Sequence, residues 1–381
     1  MIAVMTTPST QLDDLLNRVG LKLQLSETQY QQAAERYNTI GDWLGASGSH
    51  LAVYKPNIYP QGSLRIGTTV KPRGRDEFDL DLVCQFQVKP ETFSDPIALL
   101  DMVERRLREH ETYRPMVERK NRCIRVTYAN QFHLDILPAC PRPSADPYGK
   151  DAVVVPDCDA DDWKPSNPKG YAAWYESRAT EAVTQFKRAH EPLPEQQSHD
   201  ELSTLNRIVQ LLKRKRDVSF QQTPKIAPIS IVLTTLAAQT YGGQSSVSEG
   251  MESILNGIVG MIPHITAPRM KVLNPTNSAE DLSERWDANP EGYLAFVKWV
   301  GSFRASWAEL MSARGIQNVK SALEKMFGER VAREVVMDHI REFEAPRQAG
   351  ALAVERGTGR IVPVTVASST PIVRNTFYGD D

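Results

Sequence analysis

Glu77-Phe78-Asp79-Leu80-Asp81-Leu82-Val83 alternates apolar and acidic residues with period two. Successive side chains of a strand point to opposite faces, so Asp79 and Asp81 project together with Cα atoms roughly 6.5–7 Å apart. Phe78, Leu80, Leu82 and Cys84 point the other way and offer an apolar face to helices. The alternation that buries the strand thus turns its carboxylates toward a cleft. Downstream the pattern recurs in Gln131-Phe132-His133-Leu134-Asp135-Ile136-Leu137, with Phe132, Leu134 and Ile136 inward and Asp135 on the polar face. His133 shares that face and reads as a rim residue. Upstream, Gln61-Gly62-Ser63-Leu64-Arg65-Ile66-Gly67-Thr68 holds a Gly-Ser turn. Gly62 lets the backbone approach a phosphate closely, while neighbouring N–H groups and the Ser63 hydroxyl donate to triphosphate oxygens.

A Gly-Ser turn, a paired acid and a later third acid, in this order, point to nucleotidyl transfer. A lone D-x-D is common on solvated strand faces; the combination is the specific signal. Phosphoryl transfer asks a protein for positioning and charge neutralisation rather than covalent help. Two Mg²⁺ ions about 3.5–4 Å apart clamp the attacking hydroxyl and the leaving pyrophosphate, and hard carboxylate oxygens suit that ion, with Mn²⁺ as a substitute. Asp79 and Asp81 are assigned to both metals. Asp135 completes the site of the ion that activates the ribose hydroxyl and helps accept its proton.

Composition agrees with an enzyme of small nucleotides. The 381 residues suffice for two ordinary domains. Lys and Arg (45) nearly cancel Asp and Glu (47), leaving a formal charge of −2, which argues against coating long nucleic acid. No run approaches the roughly 20 apolar residues of a membrane span, and the N-terminus MIAVMTTPSTQ has no secretory pattern, so a cytoplasmic location is expected. Cys84, Cys123, Cys140 and Cys158 show no C-x-x-C pair, which predicts neither a zinc ribbon nor a disulfide frame.

Along the chain, apolar spacing predicts one long helix over residues 12–44 with a possible break at Gly20. Strands follow near 78–88, 122–129 and 131–137, with a helix over 97–111. Residues 138–168, rich in Pro and Asp, predict a surface connection, and Asn167-Pro168 opens a helix. Beyond that point only helices are expected, over 202–215, 229–241, 247–262, 279–286, 290–311 and 319–343. A strand over 360–367 is possible within a last stretch of little periodicity.

QGSLRIGT, EFDLDLV and HLDILPA, followed by SNPKGYAAWY, LLKRKRD and NPTNSAEDLSERW, resemble the bacterial cGAS/DncV-like nucleotidyltransferases, the CD-NTases of CBASS anti-phage systems. The resemblance spans roughly residues 54–344 and looks most like clade D. It implies an α+β fold: a polymerase-beta-like nucleotidyltransferase core with a mixed sheet, plus a C-terminal helical domain similar to that of oligoadenylate synthetases. The implied division is an N-terminal helix over 1–50 backing the core, the nucleotidyltransferase core over 51–200, the helical domain over 201–344 and an extended tail over 345–381. The implied activity is synthesis of a cyclic tri- or dinucleotide second messenger, of the cAAG or cAAA type, from ATP and GTP with two Mg²⁺ ions. A linear oligoadenylate synthase, a nucleotidyl transfer to RNA or protein, and a non-enzymatic nucleotide-binding scaffold are the rivals.

By the same resemblance, Asp79, Asp81 and Asp135 are the metal ligands, and Gln61, Gly62 and Ser63 meet the donor nucleotide. A lysine of the basic helix end Lys213-Arg214-Lys215-Arg216 reaches the triphosphate; Lys213 is favoured over Lys215, although spacing alone leaves both open. Ser230 looks like a second triphosphate-contacting serine, or else a plain helix cap. Asn274, Asn277 and Asp281 are similar to a segment beside the nucleotide pocket of oligoadenylate synthetases, although Asn277 or Ser278 equally suits the cap of a helix leading to Trp286. Animal cGAS carries a zinc insertion for double-stranded DNA; no metal-ligand spacing replaces it here, so activation by long DNA is not expected. The ending VRNTFYGDD looks like the tails handled by CBASS accessory proteins, either an E1/E2-like conjugating enzyme or a HORMA protein.

Overall fold

Residues 8–73, 77–129, 132–142, 149, 151–179, 193–198, 201–263, 268–355, 361–363 and 369–371 are described by the structure, a computed structural model of the chain. The N-terminal region forms two helices, not one: α1 (Pro8–Leu23) and α2 (Glu27–Gly45). The break falls at Ser26 and leaves Gly20 inside α1. Ser26 Oγ accepts from Gln29 N–H at 3.2 Å while Gln29 Oε1 accepts from Ser26 N–H at 3.0 Å, a reciprocal cap that starts α2 afresh. The break lets the two helices serve different cores. Leu12, Leu16, Val19 and Leu23 of α1 pack among helices, whereas Ala33, Tyr37, Ile40 and Leu44 of α2 pack against the sheet.

The chain then runs through β1 (Asn57–Gln61), the single turn α3 (Gly62–Arg65), β2 (Phe78–Gln85), α4 (Pro96–Glu109), β3 (Val117–Arg119), β4 (Ile124–Tyr128) and β5 (Phe132–Pro141). Sheet order is β1-β2-β5-β4-β3. β2 and β5 are parallel and their neighbours antiparallel, so the sheet is mixed. Residues 138–168 are not the expected surface connection, because they extend β5 and add β6 (Val153–Asp157) and β7 (Asp162–Ser166). Pro156 and Pro165 read as breakers, yet Pro165 lies on the outer strand β7, and β5 meets β6 only at Val153 and Val154. Neither proline therefore has to donate a ladder hydrogen bond.

Helices α5 (Pro168–Ala179), α6 (Thr204–Ser219), α7 (Ser230–Thr240) and α8 (Val247–Met261) form a second layer with its own core. The expected helix over 279–286 is instead a hairpin of β8 (Leu273–Asn274) and β9 (Asn277–Asp281), followed by the short α9 (Arg285–Ala288). Asn274 Oδ1 accepts from Thr276 N–H at 2.9 Å and closes the turn of the hairpin, so Asn277 and Ser278 open a strand and cap no helix. α10 (Pro290–Ser312) follows. Residues 319–343 divide into α11 (Ile316–Phe327) and α12 (Glu329–Gln348) at Gly328, whose φ of 97° suits glycine. β10 (Leu352–Glu355), β11 (Ile361–Pro363) and β12 (Ser369–Pro371) form a small sheet, so strands do recur after residue 168. VRNTFYGDD lies outside the described residues. Among those described, no helix is long and apolar enough to cross a membrane.

Candidate active site

Strand alternation decides where the acids go. Leu80, Leu82, Leu134 and Ile136 are fully buried against α2 and α4. Asp79 and Asp81 therefore emerge on the opposite face, and the parallel register sets Asp79 beside His133 and Asp81 beside Asp135. The three expected acids share one face of two adjacent strands. The same face continues into Tyr59, Val83, Ala139, Val153 and Val155, a small apolar cluster with Leu137 at its border.

Gln61 ends β1 directly opposite Asp81. There the chain turns at Gly62, whose φ is 66°, and a Cβ at that position would lie 2.1 Å from Asp81 Oδ2. Only glycine lets the turn sit against the carboxylate. Ser63 Oγ lies 3.0 Å from Thr69 Oγ1, and Ser63 O accepts from Thr68 N–H at 2.9 Å. One face of α6 holds this loop from behind: Asn206 Nδ2 donates to Ile66 O at 3.1 Å and Gln210 Nε2 to Thr69 O at 3.0 Å. Lys213 Nζ donates to Thr68 O at 3.0 Å and to Thr68 Oγ1 at 2.9 Å. Spacings of four and three residues put these three side chains on one stripe.

The loop, Asp79 and Asp81 border a cleft of about 1470 Å³ between the sheet and the helices, while Asp135 lies beneath Arg125. Single small-molecule sites occupy about 300–1,000 Å³, so this cleft has room for two nucleotides. Gln61, Gly62, Ser63, Asp79, Asp81, Lys213, Ser230, Asn274 and Asp281 all line it. Lys215 does not. Its ammonium stands 5.9 Å from the Phe303 ring centroid, on the side of α6 that faces the helical core, which removes it from the nucleotide-contacting set. Asn277 is also absent from the lining: it is buried in the hairpin, where its Oδ1 accepts from Ala279 N–H at 3.3 Å. Asn274 donates to Glu280 at 2.7 Å, and Asp281 is held by Arg269 at 3.0 Å and by Ser283 N–H at 2.8 Å. Ser230 is the first residue of α7, with Ile229 in the cap position, and its hydroxyl accepts from Arg216 Nη1 at 2.9 Å.

Arg125, Arg122, Glu280 and Glu284 carry no motif in the sequence, and Arg216 is legible there only as part of a basic helix end. Arg125 is the cross-strand partner of Asp135; its Nε and Nη2 donate to the two carboxylate oxygens at 2.7 Å each, and Nη2 approaches Asp79 Oδ1 at 3.4 Å. The alternation Ile124-Arg125-Val126 placed its side chain on the acid face, but the partner depends on a hairpin register that spacing does not give. At the far end of the cleft, Arg122 donates to Asp157 at 2.5 Å and pairs with Glu284. Glu280, half-buried, accepts from Ser166 Oγ at 3.2 Å.

Burial dominates the electrostatics of the acid end. Burial, then the charges of Asp79 and Asp135, push the Asp81 carboxyl up to about 8. Asp79 shifts upward as well, chiefly by burial and with Arg125 opposing, although 58 % of its side chain is exposed at the rim. Burial, then Arg216, lowers Lys213 to about 7. Among the described residues no three His, Cys, Asp or Glu side chains are already drawn around one point. The donor set nevertheless fits a hard divalent ion, since it consists of carboxylates alone on one face of two adjacent strands.

Comparison with known proteins agrees with this geometry. Residues 5–178 match the family described as Second Messenger Oligonucleotide or Dinucleotide Synthetase domain. A c-di-GMP synthase of Roseivirga ehrenbergii is 34% identical over 99% of this chain and 100% of its own length. The cyclic dinucleotide synthase CdnG of Bradyrhizobium diazoefficiens is 26% identical over 93% of this chain and 90% of its own. The structure of that CD-NTase with GTP superposes at a TM-score of 0.69 and 24% identity, covering 86% of this chain and 99% of the other. The CdnC:HORMA-deltaN complex of E. coli MS115-1 is similar in fold, with a TM-score of 0.59 and 15% identity over 81% of this chain and 93% of the other.

Proposed function

This chain belongs to the bacterial cGAS/DncV-like nucleotidyltransferases, and from that premise we propose that it joins two GTP molecules into a cyclic dinucleotide of the c-di-GMP kind. The observation that carries the reading is the convergence of Asp79, Asp81 and Asp135 on one face, beside the Gly62–Ser63 turn, at a cleft with room for two nucleotides. The names of the full-length relatives favour a dinucleotide over the cAAG-type trinucleotide expected from the sequence. Asp79, Asp81 and Asp135 would hold the divalent ions, whose chemistry is to neutralise phosphate charge and make a ribose hydroxyl more acidic.

The remaining work falls to groups of this chain. Backbone N–H groups after Gly62 and the Ser63 hydroxyl bind the donor triphosphate. Lys213 braces that loop from beneath, and Arg216, held by Ser230, adds positive charge on the opposite wall. At the far end Arg122 offers donors to the O6 and N7 edge of guanine, while the Glu280 and Glu284 carboxylates suit its N1–H and amino group. A ribose hydroxyl of one GTP attacks the α-phosphorus of the other, the bond to the β-phosphate breaks, and pyrophosphate leaves. A second such step closes the ring, giving two pyrophosphates and one cyclic product. The cyclic nucleotide acts as a second messenger in anti-phage defence, and the C-terminal residues serve as the handle for an accessory protein, HORMA or E1/E2-like.

Incubation of the full chain with Mg²⁺ and all four ribonucleotides, or with GTP alone, tests this. A phosphatase-resistant product with the mass of a cyclic GMP dimer is expected in both reactions. A linear, adenine-containing or trinucleotide product overturns the reading.

A further inference from the structure

Arg125 occupies the centre of a cross-strand ladder of charge. Its register partner on β5 is Asp135, and its register partner on β3 is Glu118, so both acids lie on the face that Arg125 itself occupies. The guanidinium engages both Asp135 oxygens at 2.7 Å and reaches Asp79 at 3.4 Å. Asp79 and Asp81 border the cleft, whereas Asp135 lies beneath this guanidinium. Arginine cannot give up its proton to make way for a metal ion; it can only move.

We propose that Arg125 is a built-in counter-cation: it holds Asp135 in the metal-free protein and swings toward Glu118 when divalent ions enter, so that Arg125 sets the metal concentration at which the site assembles. The inference rests on the reading of the three acids as metal ligands. Two geometric facts support it beyond the ion pair. The fork takes both carboxylate oxygens that a metal would need, and Glu118 is exposed and, among the described residues, bonded to Lys120 alone at 2.5 Å, so it offers an accessible second berth. Arg125 is thereby a positioning residue, acting on the reaction through Asp135.

Binding of Mn²⁺ to the full chain without nucleotide, followed by the EPR signal of the free ion, separates the possibilities. Removing a competing positive charge beside the site should tighten Mn²⁺ about tenfold in Arg125→Gln. Arg125→Lys, which keeps the charge and loses the fork, should fall between wild type and Arg125→Gln; it also serves if Arg125→Gln does not fold. Glu118→Gln should weaken Mn²⁺ binding. Metal-free Arg125→Gln should melt below wild type and regain the difference when Mn²⁺ is added. Unchanged or weaker Mn²⁺ affinity in Arg125→Gln, with binding still abolished by Asp81→Asn, overturns the counter-cation role alone. Mn²⁺ binding that survives Asp81→Asn unchanged overturns the metal reading and this inference with it.

Discussion

Gly62 and Asp81 are packed so tightly that a single methyl group at position 62 would lie 2.1 Å from the Asp81 carboxylate. The phosphate loop and the acid cluster are therefore one unit, and a change in either moves the other. Gly62→Ala should cost about 1–2 kcal/mol of stability from the left-handed backbone. Its larger effect should fall on chemistry, because Asp81 must rotate away from Asp79 and Asp135. A drop of about 100-fold in kcat, with a small loss in melting temperature, is the expected result in a GTP turnover assay.

Lys213 yields a pH prediction. Its ammonium titrates near 7 in the fold and near 10.5 when unperturbed. Above 10.5 neither state is charged; as pH falls from there toward 7 the unfolded chain binds a proton that the native chain refuses, and native stability declines by about 1.4 kcal/mol per unit. Below 7 both states are charged and the penalty stays constant. Lys213→Met removes the penalty, so its unfolding free energy from urea titration should improve relative to wild type by about 2 kcal/mol between pH 9.5 and pH 7.5. A difference that does not change with pH would show that this amine is not held in its neutral form.

Asn206 tests the brace behind the loop. Its amide holds Ile66 O while its Oδ1 accepts from Tyr175 at 3.0 Å and from Ser203 at 3.1 Å, all in the interior. Asn206→Ala strands these partners and should lower stability by about 1–3 kcal/mol. The KM for GTP should rise along with it, since the 62–69 loop loses its support. Chemical denaturation and steady-state kinetics on the same variant check both effects.

Lys215 supplies the opposite expectation. Turned toward Phe303, it faces away from the cleft. Lys215→Gln should keep KM and kcat within about twofold of wild type, the range of a substitution away from the chemistry. A large rise in KM would return Lys215 to the phosphate site.

Legibility followed the range of the interactions. The period of two around Asp79, Asp81 and Asp135 survives in the sequence because each strand buries one face, and the parallel register puts the three acids on a single surface. The break between α1 and α2 is set by the reciprocal Ser26–Gln29 cap, a short-range signal that the continuous apolar period masks. β6 and β7 are not legible because Pro156 and Pro165 look like breakers until their pairing partners are known. Asn277-Ser278-Ala279-Glu280 resembles a capped first turn of a helix, whereas the segment is fixed as β9 by the hairpin. Arg125 was invisible for the same reason as the strand order: its role depends on which residue lies across the sheet, and that is a non-local fact.

Asp81→Asn is the most direct measurement of the central claim, because it keeps the shape of the side chain and removes the charge that a metal needs. With GTP and Mg²⁺, wild type should accumulate a phosphatase-resistant cyclic dinucleotide. The variant should lose about 1000-fold in rate while melting no lower than wild type, since it sheds a carboxylate that burial and its neighbours had made costly. Synthesis at the wild-type rate in Asp81→Asn would contradict the account.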